Sequence, residues 1–301
     1  MKKVWVWVFG ILGALLLGAG IYAYNVYSDV SQTIEKVHKP LKREKSPMRE
    51  EAVQPEQKKP VSILVIGADP RGGERGRSDS LMLLTLNAET QSMKIVSIPR
   101  DTYIEIVGKG KKDKINHAYA FGGIDMTVAT VEKFLNVPVD YYLEVNMEGF
   151  RDVVDAVGGV DVNNDLAFSY EGHHFAKGPI HLNGSEALAY ARMRKEDPRG
   201  DFGRQMRQRQ VIQAVIRKGA NISNLANHNE LLGAVQKNVK TNLTQSEMIE
   251  MQQHYKECLN NTEELQIEGK GGMQNGVWYY FISEPTRQAL SQKLRGHLGL
   301  Q

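Results

Sequence analysis

Val4 to Tyr24 form an apolar run without one charged side chain. About 20 such residues, wound as a helix, cross the hydrocarbon core of a bilayer. Lys2 and Lys3 precede the run, which puts residues 1–3 on the cytoplasmic side. A cleavable signal peptide is the competing reading, but its apolar region is usually only about 7–15 residues long. No clear small-residue cleavage site follows, and Tyr22, Tyr24 and Tyr27 suit an interfacial aromatic belt. The run is therefore read as an uncleaved transmembrane signal-anchor over 4–24. The chain is then expected in the cell membrane as a single-pass type II protein, with everything beyond the anchor extracellular.

Residues 25–60 are polar and charged and carry Pro40, Pro47, Pro55 and Pro60. They read as a short helical extension followed by a stalk. A domain over 61–301 begins with VSILVIG, a buried-strand pattern that ends in Gly67. Leu81–Leu86 and Met93–Ile98 are two more strands. NAETQS, Asn87 to Ser92, is the turn that pairs the last two antiparallel. Helices are expected over Gly123–Leu135, Glu148–Val157, Asn183–Ala191, Asp201–Arg217, Ser246–Leu259 and Glu284–Leu294. Further strands are expected over Val139–Val145, Glu264–Ile267 and Val277–Phe281. Hairpins mixed with helical crossovers give an α/β class, a mixed β-sheet flanked by helices, behind the N-terminal transmembrane helix.

Charge narrows the function. Lys and Arg number 38 against 35 Asp and Glu, a net charge of +3 that argues against a general nucleic-acid binder. The single cysteine, Cys258, allows no internal disulfide and no Cys-x-x-Cys metal site. The positive charge is concentrated: six arginines lie between Arg192 and Arg209. On the helix from Asp201, stepping back from Val211, Ala214 and Val215 at helical spacing leads to Gln208, Arg207 and Arg204. Guanidinium groups therefore stand where the rest of the stripe is aliphatic. A buried arginine needs a partner, and a helix N-terminus adds positive potential there, so the arrangement suits a phosphate. Pairing with internal carboxylates, or a solvated basic face, is the alternative. Arg192 and Arg194, two apart in YARMR, read as a clamp or as two exposed edge cations.

Asp69 ends the first strand, and the glycine-rich loop PRGGERGR returns through Arg77 and Asp79. Carboxylates at neighbouring strand ends can share Mg²⁺ together with phosphate oxygens, although Asp residues there also serve turns. Arg100 and Asp101 close the third strand in SIPRD. Strand ends in open α/β sheets are where ligands collect. Joined, these segments make a pyrophosphate site for phosphoryl transfer by positioning and charge neutralisation. Tyr119, Phe121, Tyr141, Tyr142 and Phe150 could line an apolar tunnel or could be core.

The order IGAD, GRSDS, SIPRD, KINHAYAFGG, VDYYLEVNMEGF, LNGSEALAYARMR and DFGRQMRQRQ resembles the LytR-CpsA-Psr family, from Val61 to the end of the Arg207 helix. That resemblance implies a transferase that moves an anionic glycopolymer, such as wall teichoic acid, from an undecaprenyl-pyrophosphate carrier to peptidoglycan. The acceptor would be the N-acetylmuramic acid 6-hydroxyl, the product a phosphodiester, and the lipid would lie in a tunnel between sheet and helices. It implies Asp69 and Asp79 as ligands of Mg²⁺, with Mn²⁺ as a substitute. It implies Arg77, Arg100, Arg192, Arg194 and Arg204 as pyrophosphate-binding residues, joined by Gln208 and Arg207. Arg100, Asp79 and Asp101 are the candidate catalytic residues. The partners expected are donor lipid, peptidoglycan and membrane, and no nucleic acid. A polyprenyl-pyrophosphate hydrolase would use the same residues with water as acceptor. A non-enzymatic anionic-polymer-binding wall protein would need no Mg²⁺ and would weaken with salt.

Overall fold

The computed structural model describes residues 28–69, 76–220 and 228–300. The anchor expected over 4–24 lies outside the described residues, as does most of the glycine-rich loop. Among the described residues no helix is long and apolar enough to cross a membrane.

A helix over residues 28–37 (α1) comes first. Then follow β1 (Val61–Asp69), β2 (Arg77–Asn87), β3 (Ser92–Ser97), β4 (Tyr103–Ile106), β5 (Lys111–Lys114), α2 (His117–Leu135), β6 (Tyr141–Val145) and α3 (Met147–Ala156). Short strands β7 (Val160–Asn164), β8 (Phe168–Tyr170), β9 (His173–Phe175) and β10 (Gly178–Leu182) lead to α4 (Gly184–Arg192), α5 (Asp201–Ala220) and α6 (His228–Asn238). The chain ends with β11 (Val239–Thr241), α7 (Gln245–Tyr255), β12 (Thr262–Leu265), β13 (Lys270–Gln274), β14 (Val277–Phe281) and α8 (Glu284–His297).

The central sheet runs β11-β6-β1-β2-β3-β12. β1 pairs parallel with β6 and β3 with β12, while the other neighbours are antiparallel. The mixed α/β expectation holds, and its reason is the near-continuous apolar run of the central strands, which buries both faces. On one face Leu64, Ile66, Leu81, Leu83 and Val96 pack with Val131 of α2 and Leu294 of α8. On the other, Val65, Met82, Leu84 and Ile95 meet Ile212 and Ile216 of α5 and Met251 of α7. Asn183 caps α4 through a reciprocal capping box with Glu186.

The stalk expected over 25–60 is, in its described part, strapped onto the domain. Arg43 pairs with Glu132 at 2.5 Å and Arg49 with Asp140 at 2.7 Å. The Tyr142 hydroxyl donates to the Lys39 carbonyl at 2.7 Å. The side chains of Glu132 and Asp140 are only 3% and 5% exposed. A buried carboxylate needs a cation, and the strap supplies one to each. Polar, proline-rich composition signals irregular chain; it does not reveal that the domain holds the complementary charges.

Candidate functional site

The site begins with a break in the β1–β2 ladder. Gly67 faces Ser80, but Ala68 faces Ser78, so Asp79 is the extra residue of a β-bulge. Gly67 is needed at this crossing, because a Cβ there would lie 3.0 Å from the Ser80 Cβ. Beyond the bulge Asp69, at the end of β1, is the cross-strand partner of Arg77, which is exposed.

Arg100, just past β3, reaches across to Asp79 at 2.9 Å and lies 3.6 Å from Asp101. From the first turn of α5, Arg204 pairs with Asp201 at 2.6 Å, while Arg194 stands 3.9 Å from the same oxygen. Burial alone would lower the Arg100 pKa, but Asp79, Asp101 and Asp201 outweigh it and the net shift is upward. Arg204 goes the other way. Burial pulls its pKa below the ordinary value, Asp201 opposes, and Arg100 and Arg194 add to the fall. Its Nε is buried without a hydrogen-bond partner among the described residues. An anion between these guanidinium groups would supply the missing acceptor and relieve their repulsion.

Helix α5 carries two stripes. Arg204 and Gln208 continue through Ile212, Val215 and Ile216 toward the sheet and the cavity described below. Arg207 continues through Val211 and Ala214 into a second core around Phe168, Tyr190 and Met193. Arg207, expected in the anion site, is thus turned away from it. Its side chain is fully buried; it pairs with Asp197 at 2.6 Å and donates to the Tyr190 and Met193 carbonyls. The sequence pattern merged two faces one residue apart in helical phase. Arg199 and Arg209 are also internally paired, with Asp165 and Asp197, and with Glu264. Of the six arginines, Arg194 and Arg204 share Asp201 at the crevice, and Arg192, 3.7 Å from Glu171, lines the cavity described below.

Behind the cluster lies a cavity of about 540 Å³, within the usual size range of ligand pockets, about 300–1,000 Å³. Its walls are Val65 of β1, Leu143 of β6, Phe150 of α3, Ile212 of α5, Val235 of α6 and Ile34 of α1, with their neighbours. Arg192 is the one charged side chain among its described lining residues. Ser80 and Gln208 line both this cavity and the crevice that holds Asp79, Arg100 and Arg204. Ser80 donates to the Gln208 side chain at 3.1 Å, which ties the sheet to α5 where the two spaces meet. Of the aromatics considered for a tunnel, Phe150 lines the cavity, while Tyr119, Tyr141 and Tyr142 are core. Ser80, Asp201 and the α1 wall were not anticipated. A lone serine and a helix-start aspartate give no pattern, and α1 reads as a continuation of the anchor.

The site is therefore an apolar pocket joined through Ser80 and Gln208 to a crevice of guanidinium and carboxylate groups. The LytR_cpsA_psr family model matches residues 24–296, and the chain belongs to that family. It is 64% identical over 300 residues, 99% of each chain, to the polyisoprenyl-teichoic acid--peptidoglycan teichoic acid transferase TagU of Bacillus mycoides (strain KBAB4). The crystal structure of B. subtilis TagU matches with a TM-score of 0.66 and 51% identity, over 80% of this chain and 97% of that one. A structure of TagT bound to LIIa-WTA matches with a TM-score of 0.75 and 33% identity, over 87% of this chain and 100% of that one.

Proposed function

We propose that this chain transfers an anionic, phosphate-linked glycopolymer, wall teichoic acid, from undecaprenyl pyrophosphate to the N-acetylmuramic acid 6-hydroxyl of peptidoglycan, outside the cell membrane. That it is a transferase rests on full-length relatives at 64% identity that carry that name. The chemistry rests on one observation: an apolar cavity, with Arg192 as the one charged side chain among its described lining residues, shares Ser80 and Gln208 with a crevice that holds Arg100 and Arg204. A polyprenyl diphosphate has that polarity, hydrocarbon behind and charge in front.

In this reading the lipid lies along Val65, Leu143, Ile212 and Val235. Arg192, Arg194 and Arg204 take the diphosphate, with Arg77 at the rim and Gln208 at the junction. Arg100, fixed by Asp79 and Asp101, stabilises charge on the transferred phosphoryl group. The acceptor hydroxyl attacks the phosphorus next to the sugar, Asp79 or Asp101 receives its proton, and undecaprenyl phosphate leaves. Mg²⁺ typically takes one or two carboxylates plus phosphate oxygens and water. Asp79 fits that demand: its side chain is 27% exposed at the crevice, and Arg100 engages its Oδ1. The ion would be held by Asp79 and Asp69 and, when bound, would neutralise diphosphate charge. No group of three or more ligating side chains exists among the described residues, but with phosphate oxygens as ligands none is required.

Arg100→Ala is expected to slow transfer about 10²–10³-fold, the usual cost of removing one preorganised charge-stabilising donor, with the melting temperature nearly unchanged. The assay follows polymer joined to peptidoglycan against free polymer. Normal transfer by the variant would refute the role. Release of free polymer alone by the unmodified chain would replace the transferase with a hydrolase.

A further inference from the structure

On the far side of Asp101 the chain presents a surface of rings and ammonium groups. Hairpins β4–β5 and β13–β14 meet there: Thr102 bridges Tyr280, and the Tyr280 amide donates to the Asp101 carbonyl at 2.9 Å. Tyr103 packs on Tyr279 and Phe281 with centroids 4.7 and 5.5 Å apart. Lys112 lies 5.9 Å over Tyr103, Lys114 5.7 Å over Tyr279, and Lys109 and Lys111 each 5.1 Å over Phe121. Lys109, Lys111 and Lys112 are exposed and the rings half-exposed. The acids of this stretch are already engaged. Asp113 meets His117 at 3.0 Å and Lys111 at 3.8 Å, and Glu105 meets Lys133 at 2.8 Å.

This surface and the arginine crevice share a residue. Lys114 holds Asp101 at 2.7 Å, and Asp101 stands 3.6 Å from Arg100. Apolar cavity, arginine cluster and lysine-aromatic surface thus follow one another without a break. A lipid-linked polymer has the same order: hydrocarbon, diphosphate, then sugars and phosphodiesters. Lysines suit phosphates as compact point charges, and aromatic faces suit the carbon faces of sugars and polyols. Clustered ammonium groups with their acids already engaged gain most from a partner that repeats its negative charge. A peptidoglycan glycan strand has no phosphate in its backbone and would leave them unanswered.

We propose that the β4–β5 and β13–β14 surface, with Lys109, Lys111, Lys112, Tyr103 and Tyr279, holds the phosphodiester-linked repeats of the donor polymer as they leave the arginine cluster. The proposal rests on the transferase reading above, and its test separates the two. Free phosphodiester-linked polyol polymer, without lipid, is titrated against the full chain in detergent and against K109A/K111A/K112A. The triple variant is expected to bind about tenfold more weakly at low salt, the sum of three modest exposed charge contacts, with a shallower salt dependence. Transfer is then compared with a polymer-bearing donor and with a donor that ends after its first sugars. Only the former should lose kcat/KM, while the melting temperature stays unchanged. Equal binding by both proteins, or equal loss with both donors, would overturn the proposal. A rise confined to the KM for peptidoglycan would overturn it too, and would give the surface to the acceptor. If the unmodified chain binds polymer as expected but transfers neither donor, the transferase reading fails and the surface stands.

Discussion

At the scale of single residues, the two arginines of α5 that look alike in sequence have opposite duties. Arg204 is buried near other cations, paired with Asp201, and keeps an Nε without a partner among the described residues, which suits the proposed diphosphate. Arg207 is buried against Asp197 and two carbonyls, so it is built for the fold. Burial would raise the pKa of the Asp197 carboxyl, but hydrogen bonds from Arg199 and then from Arg207 hold it well below the usual carboxylate range. Gly203 belongs to the same arrangement, because a Cβ there would collide with the Asp197 carboxylate. Asp197→Asn leaves a buried guanidinium without its counter-charge and is expected to cost about 3–5 kcal/mol in urea unfolding. Arg204→Met should instead leave stability nearly unchanged or raised, while transfer falls. Equal destabilisation by the two substitutions would contradict this division. The crowding of arginines at the start of α5 is legible in the sequence; which arginine serves which face is not, since Arg204 and Arg207 differ by less than one turn. His297 gives a pH signature unrelated to the site. Its ring lies 2.7 Å from the Thr85 hydroxyl and 2.9 Å from the Ser92 hydroxyl. Burial, with Lys94 adding and Glu263 opposing, lowers its pKa from 6.5 to about 4. The fold therefore favours the neutral ring. Its contribution is complete above the unfolded value of 6.5 and drains away as pH falls toward about 4. Urea midpoints measured across that window should fall less steeply for His297→Gln than for the unmodified chain.

At the scale of elements, the readable parts were those with a strong period or a cap. The apolar runs of β1, β2 and β3 and the turn between Asn87 and Ser92 are as expected, with β1 extended to Asp69, β2 extended at both ends and β3 shifted by one residue. The Asn183 capping box starts α4, and Ser283 caps α8. The short strands β7 to β10 escaped notice because each has only three to five residues, broken by Gly172 and Gly178. Strand β13, KGGMQ, lacks the β-branched residues that mark a strand. Helix α6 is not among the expected helices, and α1 reads only as a short extension of the anchor; even where a helix is expected, it can face a cavity or a core with the same stripe. That ambiguity can be tested at α6. Val235→Trp should narrow the cavity, raising KM for a long-chain donor several-fold while a short-chain donor is spared. An equal effect on both donors would mean that the cavity does not hold the chain.

At the scale of the whole molecule, the sheet separates two tasks. One face, with α2 and α8, is solid core. The other is only partly filled, and the cavity lies between it and α1, α3, α5 and α6. The arginine cluster stands where the bulged ends of β1 and β2 meet the start of α5. The strap over 38–60 is fastened to the domain by ion pairs to two buried carboxylates, Glu132 of α2 and Asp140 just before β6, and Asp140 in turn accepts from the Ser62 amide of β1. Helix α1 follows the apolar run in sequence and lines the cavity, so the cavity wall and the expected anchor are neighbours along the chain. The most direct measurement is a crystal structure of the domain with a polyprenyl diphosphate bound. The hydrocarbon is expected among Val65, Leu143, Ile212 and Val235 and the diphosphate on Arg192, Arg194 and Arg204, beside Arg100. A diphosphate bound elsewhere, with the cavity still empty of hydrocarbon, would contradict this expectation.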